Sequence, residues 1–215
     1  EQSIYLASSL VGNTGNLGIP LGIALFGIES VPYTSIINIA NTLFIYIFSV
    51  YFFARDQFSI KQAIISIMKI PGIWFALLAL IINYNGITIN KHIYSALEMG
   101  AYTSMVIQLL IFGIYLYSVK IKSIPWHLSL HISFVKHILL PFVGIIIVLC
   151  FTNLNSFVAS ILIMELMVPL AVNNVNLAAL YNCKPFDVAA TILISSSLFV
   201  MFLYFYIEVI NYFIR

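Results

Sequence analysis

The chain has 215 residues, of which 62% are hydrophobic and 7% charged, and its formal net charge is +2. A soluble domain carries roughly 25% charged residues, so this composition is that of an integral membrane protein embedded in the lipid bilayer. The small net charge excludes a basic field for nucleic acid. Cys150 and Cys183 form no C-x-x-C or metal-binding pattern, and no metal or cofactor is predicted.

Seven apolar segments are interpreted as membrane spans, because a spanning helix needs about 20 apolar residues. They cover residues 5–28, 33–54, 70–83, 93–117, 132–151, 157–181 and 188–213. The connection from Arg55 to Lys69 mixes charged and apolar residues, which predicts a short helix at the membrane surface. The predicted fold class is therefore an all-α, polytopic membrane protein.

The Lys and Arg residues of the short loops predict the orientation, because these residues accumulate on the cytoplasmic side. With alternating spans, Lys91 and Arg215 fall on one side of the membrane. The other side collects Arg55, Lys61, Lys69, Lys120, Lys122, Lys136 and Lys184. We therefore predict a multi-pass protein of the plasma (inner) membrane, with a cytoplasmic 55–69 connection and an external C-terminus.

Two of the predicted spans contain residues that interrupt a helix. Proline removes a backbone donor, and glycine weakens a helix. The first span carries Gly12-Asn13-Thr14-Gly15-Asn16-Leu17-Gly18-Ile19-Pro20, and the sixth carries Pro169 followed by Asn173, Asn174 and Asn176. In lipid, an interrupted helix is tolerated only inside protein or beside a water-filled cavity. A pair of such helices indicates the binding site of a secondary transporter.

The two interrupted spans share a local pattern that predicts an internal repeat. Ile19-Pro20-Leu21-Gly22-Ile23 aligns with Val168-Pro169-Leu170-Ala171-Val172, and both spans carry Asn-x-x-Asn. The aligned prolines are 149 residues apart (169 minus 20), an interval that holds five helices, so the two copies are inverted. Residues 70–215 would form a complete second repeat. Residues 1–54 would be the fourth and fifth helices of the first repeat, whose three N-terminal helices are missing.

The stretch from Asn13 to Pro20, followed by Leu25-Phe26-Gly27, resembles the signature of the auxin efflux carrier family. This family includes the plant PIN auxin carriers and bacterial malonate-transporter-like permeases. The stretch from Met167 to Asn174, with Ala178 and Tyr181, resembles the second family motif. The resemblance covers the chain as the last seven of ten helices.

The resemblance implies inverted five-helix repeats, similar to bile acid–sodium symporters, with two crossing broken helices at the site. It also implies that both termini lie outside. One departure is visible, because Thr103-Ser104-Met105 stands where the family often has a proline. The local shape of that helix, and the substrate, are therefore left open.

The predicted substrate site comprises the amides and helix breakers of both interruptions. They are Asn13, Gly15, Asn16, Gly18, Pro20, Pro169, Asn173, Asn174 and Asn176. Amides offer donors and acceptors without charge, and with the positive ends of half-helices they can hold a carboxylate. Unwound carbonyls would instead suit a cation. In the alternative interpretation, the amides bond one another and only hold helices together.

Glu165 and Glu98 fall inside predicted spans, where an acid is a functional candidate by default. Either could couple transport to sodium or to a proton, or could simply be bonded near a helix end. His127, His131 and His137 are interpreted as solvated interface residues, because no acid or cysteine completes a metal site.

The sequence predicts a secondary carrier, or permease, for a small organic anion such as a carboxylate. It would work by alternating access around the two crossing broken helices. The chain has no Walker motif, so it is not expected to hydrolyse ATP. A membrane sensor or a non-transporting truncated product is the alternative. An intramembrane enzyme is disfavoured, because no catalytic constellation stands at membrane depth. A homodimer is left open.

Overall fold

The computed structural model describes residues 8–54, 59, 61, 64–65, 68–69, 71–117, 119 and 124–214. Within these ranges the chain is helical and contains no β-strand, which confirms the all-α prediction. The helices are α1 (Thr14–Phe26), α2 (Ile28–Phe53), α3 (Pro71–Tyr84), α4 (Lys91–Tyr117), α5 (Trp126–Phe151), α6 (Ser156–Met167), α7 (Asn173–Leu180) and α8 (Pro185–Ile214).

Each of the seven predicted apolar segments overlaps a helix of the structure, and the sixth segment is divided between α6 and α7. Among the described residues, α2, α5 and Pro185–Phe213 of α8 are long and apolar enough to cross a membrane. The first residue of α5 is Trp126, whereas the predicted span begins at residue 132. The surface helix predicted for residues 55–69 falls largely outside the described residues.

Helix α6 lies at the centre of the packed core. It contacts α1, α2, α5 and α8, and its residues Ile161, Ile163 and Met164 are fully buried. The side chain of Asn155 caps its first turn by accepting a hydrogen bond from the Val158 amide. Large apolar side chains on the outer helices, such as Phe75 and Phe142, are exposed, as suits a surface in contact with lipid.

Three helices contain a π-helical turn, at Thr14–Gly18 in α1, Ile45–Ser49 in α2 and Val135–Leu139 in α5. Two of these turns end two residues before a proline, Pro20 or Pro141. A proline ring clashes with the carbonyl four residues earlier, which in both cases lies inside the wider π turn. The turn thus accommodates the proline without ending the helix.

Candidate functional site

The two interruptions lie against each other and pair through their backbones. The Asn13 N–H donates to the Pro169 carbonyl at 2.7 Å, and the Ala171 N–H donates to the Val11 carbonyl at 3.1 Å. Gly12 and Leu170 therefore form an antiparallel bridge. We call residues 11–13 and 169–171 the crossing. The two hydrogen bonds of the crossing satisfy backbone groups that have no partner within a helix. They also confirm that the two interrupted helices meet.

The aligned prolines do not occupy equivalent positions, which corrects the predicted alignment. Pro169 lies at the crossing, whereas Pro20 lies inside α1, beyond the π turn that accommodates it. The Asn-x-x-Asn pairs match better, because Asn13 immediately precedes α1 and Asn173 is the first residue of α7. The amides, rather than the prolines, therefore mark corresponding points of the two interruptions.

A polar cavity of about 170 Å³ adjoins the crossing, and we call it the amide cavity. Its lining combines predicted residues with polar residues of α2. They are Gly12, Asn13, Thr14, Gly15, Asn16, Ile19, Asn38, Asn41, Thr42, Ile45, Ala171, Val172 and Asn173. Asn13 is 4% exposed, and its Nδ2 has no hydrogen-bond partner among the described groups. A buried donor of this kind is costly unless something binds it.

A chain of side-chain hydrogen bonds joins α2 to the crossing. Asn41 Nδ2 donates to the Gly12 carbonyl at 2.8 Å and to Thr14 Oγ1 at 2.9 Å. Thr14 Oγ1 donates in turn to Asn38 Oδ1 at 3.0 Å. The sequence interpretation missed Asn38, Asn41 and Thr42. Their spacing places them on one face of an apolar helix, which was the available signal.

The remaining predicted residues lie outside the lining of the amide cavity. Asn174 is fully buried, and neither polar atom of its amide has a described partner. Asn176 is exposed on α7. Gly18 faces the Glu165 carboxylate so closely that a Cβ on Gly18 would overlap it. Glu98 is half-buried on α4 and lines neither this cavity nor its neighbour.

A second cavity, of about 350 Å³, shares Gly12, Thr14 and Asn41 with the first. We call it the charged cavity, because Lys136 of α5 and Glu165 of α6 line it. Both side chains are buried, with 1% and 2% exposure. Lys136 Nζ donates to the Leu166 carbonyl at 2.9 Å, near the negative end of α6. Neither carboxylate oxygen of Glu165 has a hydrogen-bond partner among the described groups.

The structure corrects the placement of Lys136 and His137, which were predicted at a loop and a solvated interface. Both lie in the π turn of α5 and are buried. His137 Nε2 is 2.9 Å from both the carbonyl and the hydroxyl of Ser195. The error arose because the predicted start of the fifth span was placed too close to Lys136 and His137. Without Lys136, the predicted cytoplasmic side still has six Lys and Arg residues and the other side has two, so the predicted orientation is unchanged.

Comparison with known proteins identifies the family. A family profile described as "Membrane transport protein" matches residues 1–207, a segment that includes both interruptions and every residue lining the two cavities. No curated protein and no solved structure matches the chain significantly. The chain therefore belongs to the membrane transport protein family, the family of the auxin efflux carriers.

Proposed function

We propose that the protein is a secondary carrier of a small organic anion, such as a carboxylate, and that the amide cavity is its binding site. Family membership supports transport across a membrane. The substrate class is supported by one observation: the buried Asn13 Nδ2, which has no partner among the described groups, lies beside the N-terminal ends of two helices.

The electrostatics of the amide cavity favour an anion. Both α1 and α7 begin at the crossing, and the first N–H groups of a helix have no partner within it. Such helix ends carry a partial positive charge and bind carboxylates readily. No acidic side chain lines the cavity in the part of the chain that the structure describes. An anion there would meet several N–H donors and no fixed negative charge.

The volume of the amide cavity limits the size of the substrate. A cavity of about 150 Å³ holds a benzene molecule, and the amide cavity measures about 170 Å³. Small mono- and dicarboxylates, such as malonate, are of this size. Asn16 and Asn173 would add donors to the bound carboxylate from opposite sides of the crossing.

In alternating access, the crossing would be the point about which the two bundles move. We propose that residues 1–54 and 70–215 belong to two inverted repeats, as in bile acid–sodium symporters, and that one bundle rocks against the other. Support comes from the reciprocal backbone bonds, in which each segment donates once and accepts once. The matching positions of the two Asn-x-x-Asn pairs also support it.

The experiment is uptake by the natural protein reconstituted in lipid vesicles. Labelled malonate, succinate and benzoate would be compared with choline, a cation of similar size. We expect saturable carboxylate uptake that Asn13→Leu abolishes, because leucine removes the free N–H donors. Asn85→Leu is the matched control, since Asn85 lies in an exposed turn and bonds Ile81 of its own helix. Uptake of choline alone, blocked by Asn13→Leu, would overturn the proposal.

A further inference from the structure

We propose that Glu165 is a proton-binding site whose protonation leaves the positive charge of Lys136 uncompensated, so that one proton moves with each negative charge that the lysine then compensates. The inference rests on the proposed function in one respect, namely that an anion occupies the neighbouring amide cavity. It adds a coupling ion, a coupling residue and a cationic partner to that function.

The geometry of Glu165 leaves its carboxylate without a donor. The residue is 2% exposed, both oxygens lack a hydrogen-bond partner among the described groups, and Gly18 of α1 packs directly against them. A buried charge is normally paired and hydrogen-bonded, because isolation from water is otherwise costly. Lys136 lines the same cavity and interacts electrostatically with this carboxylate, but no described group gives it a hydrogen bond that would fix its ionised form.

Among the described residues, the elements packed on α6 bring no charge to Glu165 other than that of Lys136. Helix α1 offers Gly18, and α2 offers the neutral Asn41 at the cavity wall. From α5, Lys136 faces the cavity, whereas His137 turns to Ser195 of α8. Among the described residues, the titratable side chain that α8 brings to His137 is Tyr206, which stacks on the His137 ring. Lys136 and Glu165 therefore form an isolated buried pair.

The charge balance of this pair produces the coupling. With Glu165 ionised, the pair is neutral, and Lys136 offers no net charge to an anion. When a proton from water forms an O–H bond with Glu165, the lysine charge is left uncompensated in a medium of low polarity. Lys136 Nζ lies 2.9 Å from the position of a Cβ on Gly12, a residue that lines both cavities. Lys136 thus attracts an anion in the amide cavity across one backbone segment. When the anion leaves, the lysine charge is again uncompensated, which favours release of the proton from Glu165.

The lining of the charged cavity favours a proton over a metal cation. Hard cations require several oxygen ligands. Besides Glu165, the polar side chains at this cavity are Lys136, Thr14 and Asn41, and the other lining residues are apolar or glycine. The Thr14 hydroxyl is already engaged with Asn38 and Asn41. A proton needs one oxygen only, which Glu165 supplies.

The first test detects the proton directly and needs no substrate. Infrared difference spectra of the purified natural protein, taken across a pH titration, report the C=O stretch of a protonated carboxyl. We expect a titrating band that disappears in Glu165→Gln and stays in Glu208→Gln, since Glu208 is exposed on α8. In Lys136→Met the band should persist to higher pH, because the counter-charge is gone. A titration unchanged by Glu165→Gln would overturn the proposal.

The second test measures coupling in vesicles, with malonate as the probe and the membrane potential clamped at zero. One proton per anion gives about tenfold accumulation per pH unit of gradient, because a pH unit is worth 1.36 kcal/mol. Glu165→Gln should exchange malonate at equal pH but accumulate none. Accumulation that persists in Glu165→Gln, or that follows a sodium gradient instead, would overturn the proposal.

Two controls separate the possible failures. The double variant Lys136→Met/Glu165→Gln removes both charges and so leaves no lone buried charge to disturb folding. It should fold and accumulate no malonate. If no carboxylate moves in any variant, the proposed function fails, and the infrared titration still decides whether Glu165 binds a proton.

Discussion

At the scale of single residues, the candidate site is lined by amides that the sequence indicates to different degrees. Asn13, Asn16 and Asn173 could be predicted because they stand beside glycines or a proline, which mark an interrupted helix. Asn38 and Asn41 were missed because no helix breaker accompanies them on α2. Lys136 was missed because a lysine near an expected helix end looks like a loop cation. Lys136 is only 1% exposed because α5 packs on α6, and the sequence does not specify this packing.

Removing a single amide from the amide cavity should weaken substrate binding. A hydrogen bond to a charged group is worth ~1.5–3 kcal/mol, so Asn16→Ala or Asn173→Ala should lower malonate affinity roughly ten- to a hundred-fold. Asn16→Asp should be worse, since it sets a negative charge beside an anion. Transport per folded molecule, measured beside a melting curve, tests this. If the amides only hold helices together, the alanine variants will melt earlier yet transport normally.

A side chain at Gly12 should fit only at a cost in stability. A Cβ there would lie 2.9 Å from Lys136 Nζ and 3.1 Å from Val168 Cγ2, at the crossing itself. Gly12→Ala should therefore destabilise the protein by about 1–3 kcal/mol, the usual cost of overpacking. Gly100→Ala is the matched control, because a Cβ on Gly100 meets open space. Equal melting temperatures for the two variants would contradict the packing described here.

At the scale of elements, the π turn of α5 supports the second interruption from both ends. Consecutive residues of this turn reach different backbone groups that the interruption leaves without a helical hydrogen bond, directly or through a side chain. Lys136 binds the Leu166 carbonyl, and His137 contacts Ser195, whose hydroxyl accepts the Leu170 N–H at 3.2 Å. Neither sequence periodicity nor composition predicts a π turn, because one extra residue in a helical turn leaves no pattern of its own.

Ser195→Ala should therefore weaken this support. The buried Leu170 N–H would lose its partner, at a cost of about 1–3 kcal/mol. Ser197→Ala, two residues further along α8, is the matched control, because its exposed hydroxyl bonds only the Leu193 carbonyl among the described groups. We expect a lower melting temperature for Ser195→Ala alone. Identical unfolding of both variants would show that the Ser195 contact does not stabilise the interruption.

At the scale of the whole molecule, the order and type of the helices could be predicted, because every predicted apolar run except 70–83 has about the length that a bilayer requires. The meeting of the two interruptions could also be predicted, since unwound backbone in lipid needs a partner. The position of the first interruption could not. Pro20 looked like its centre, but the π turn absorbs that proline and the chain unwinds earlier, at residues 11–13.

The predicted orientation can be tested with cysteines. The turn that holds Cys183, between α7 and α8, should be cytoplasmic, and the turn at Asn85, between α3 and α4, should be external. In a Cys150→Ser background, a membrane-impermeant maleimide should label Asn85→Cys in intact cells. Cys183, which is half-buried, should react only after permeabilisation. Labelling of Cys183 in intact cells would reverse the orientation.

The pairing of Gly12 with Leu170 also determines which substitutions the centre of the molecule can accept over evolution. Both bonds join main-chain atoms, so a change of side chain at Asn13 or Ala171 leaves donor and acceptor in place. A proline at either position would delete one bond, because proline has no N–H. The side chains proposed to meet the substrate can therefore diverge, while the backbone pairing at the crossing stays the same.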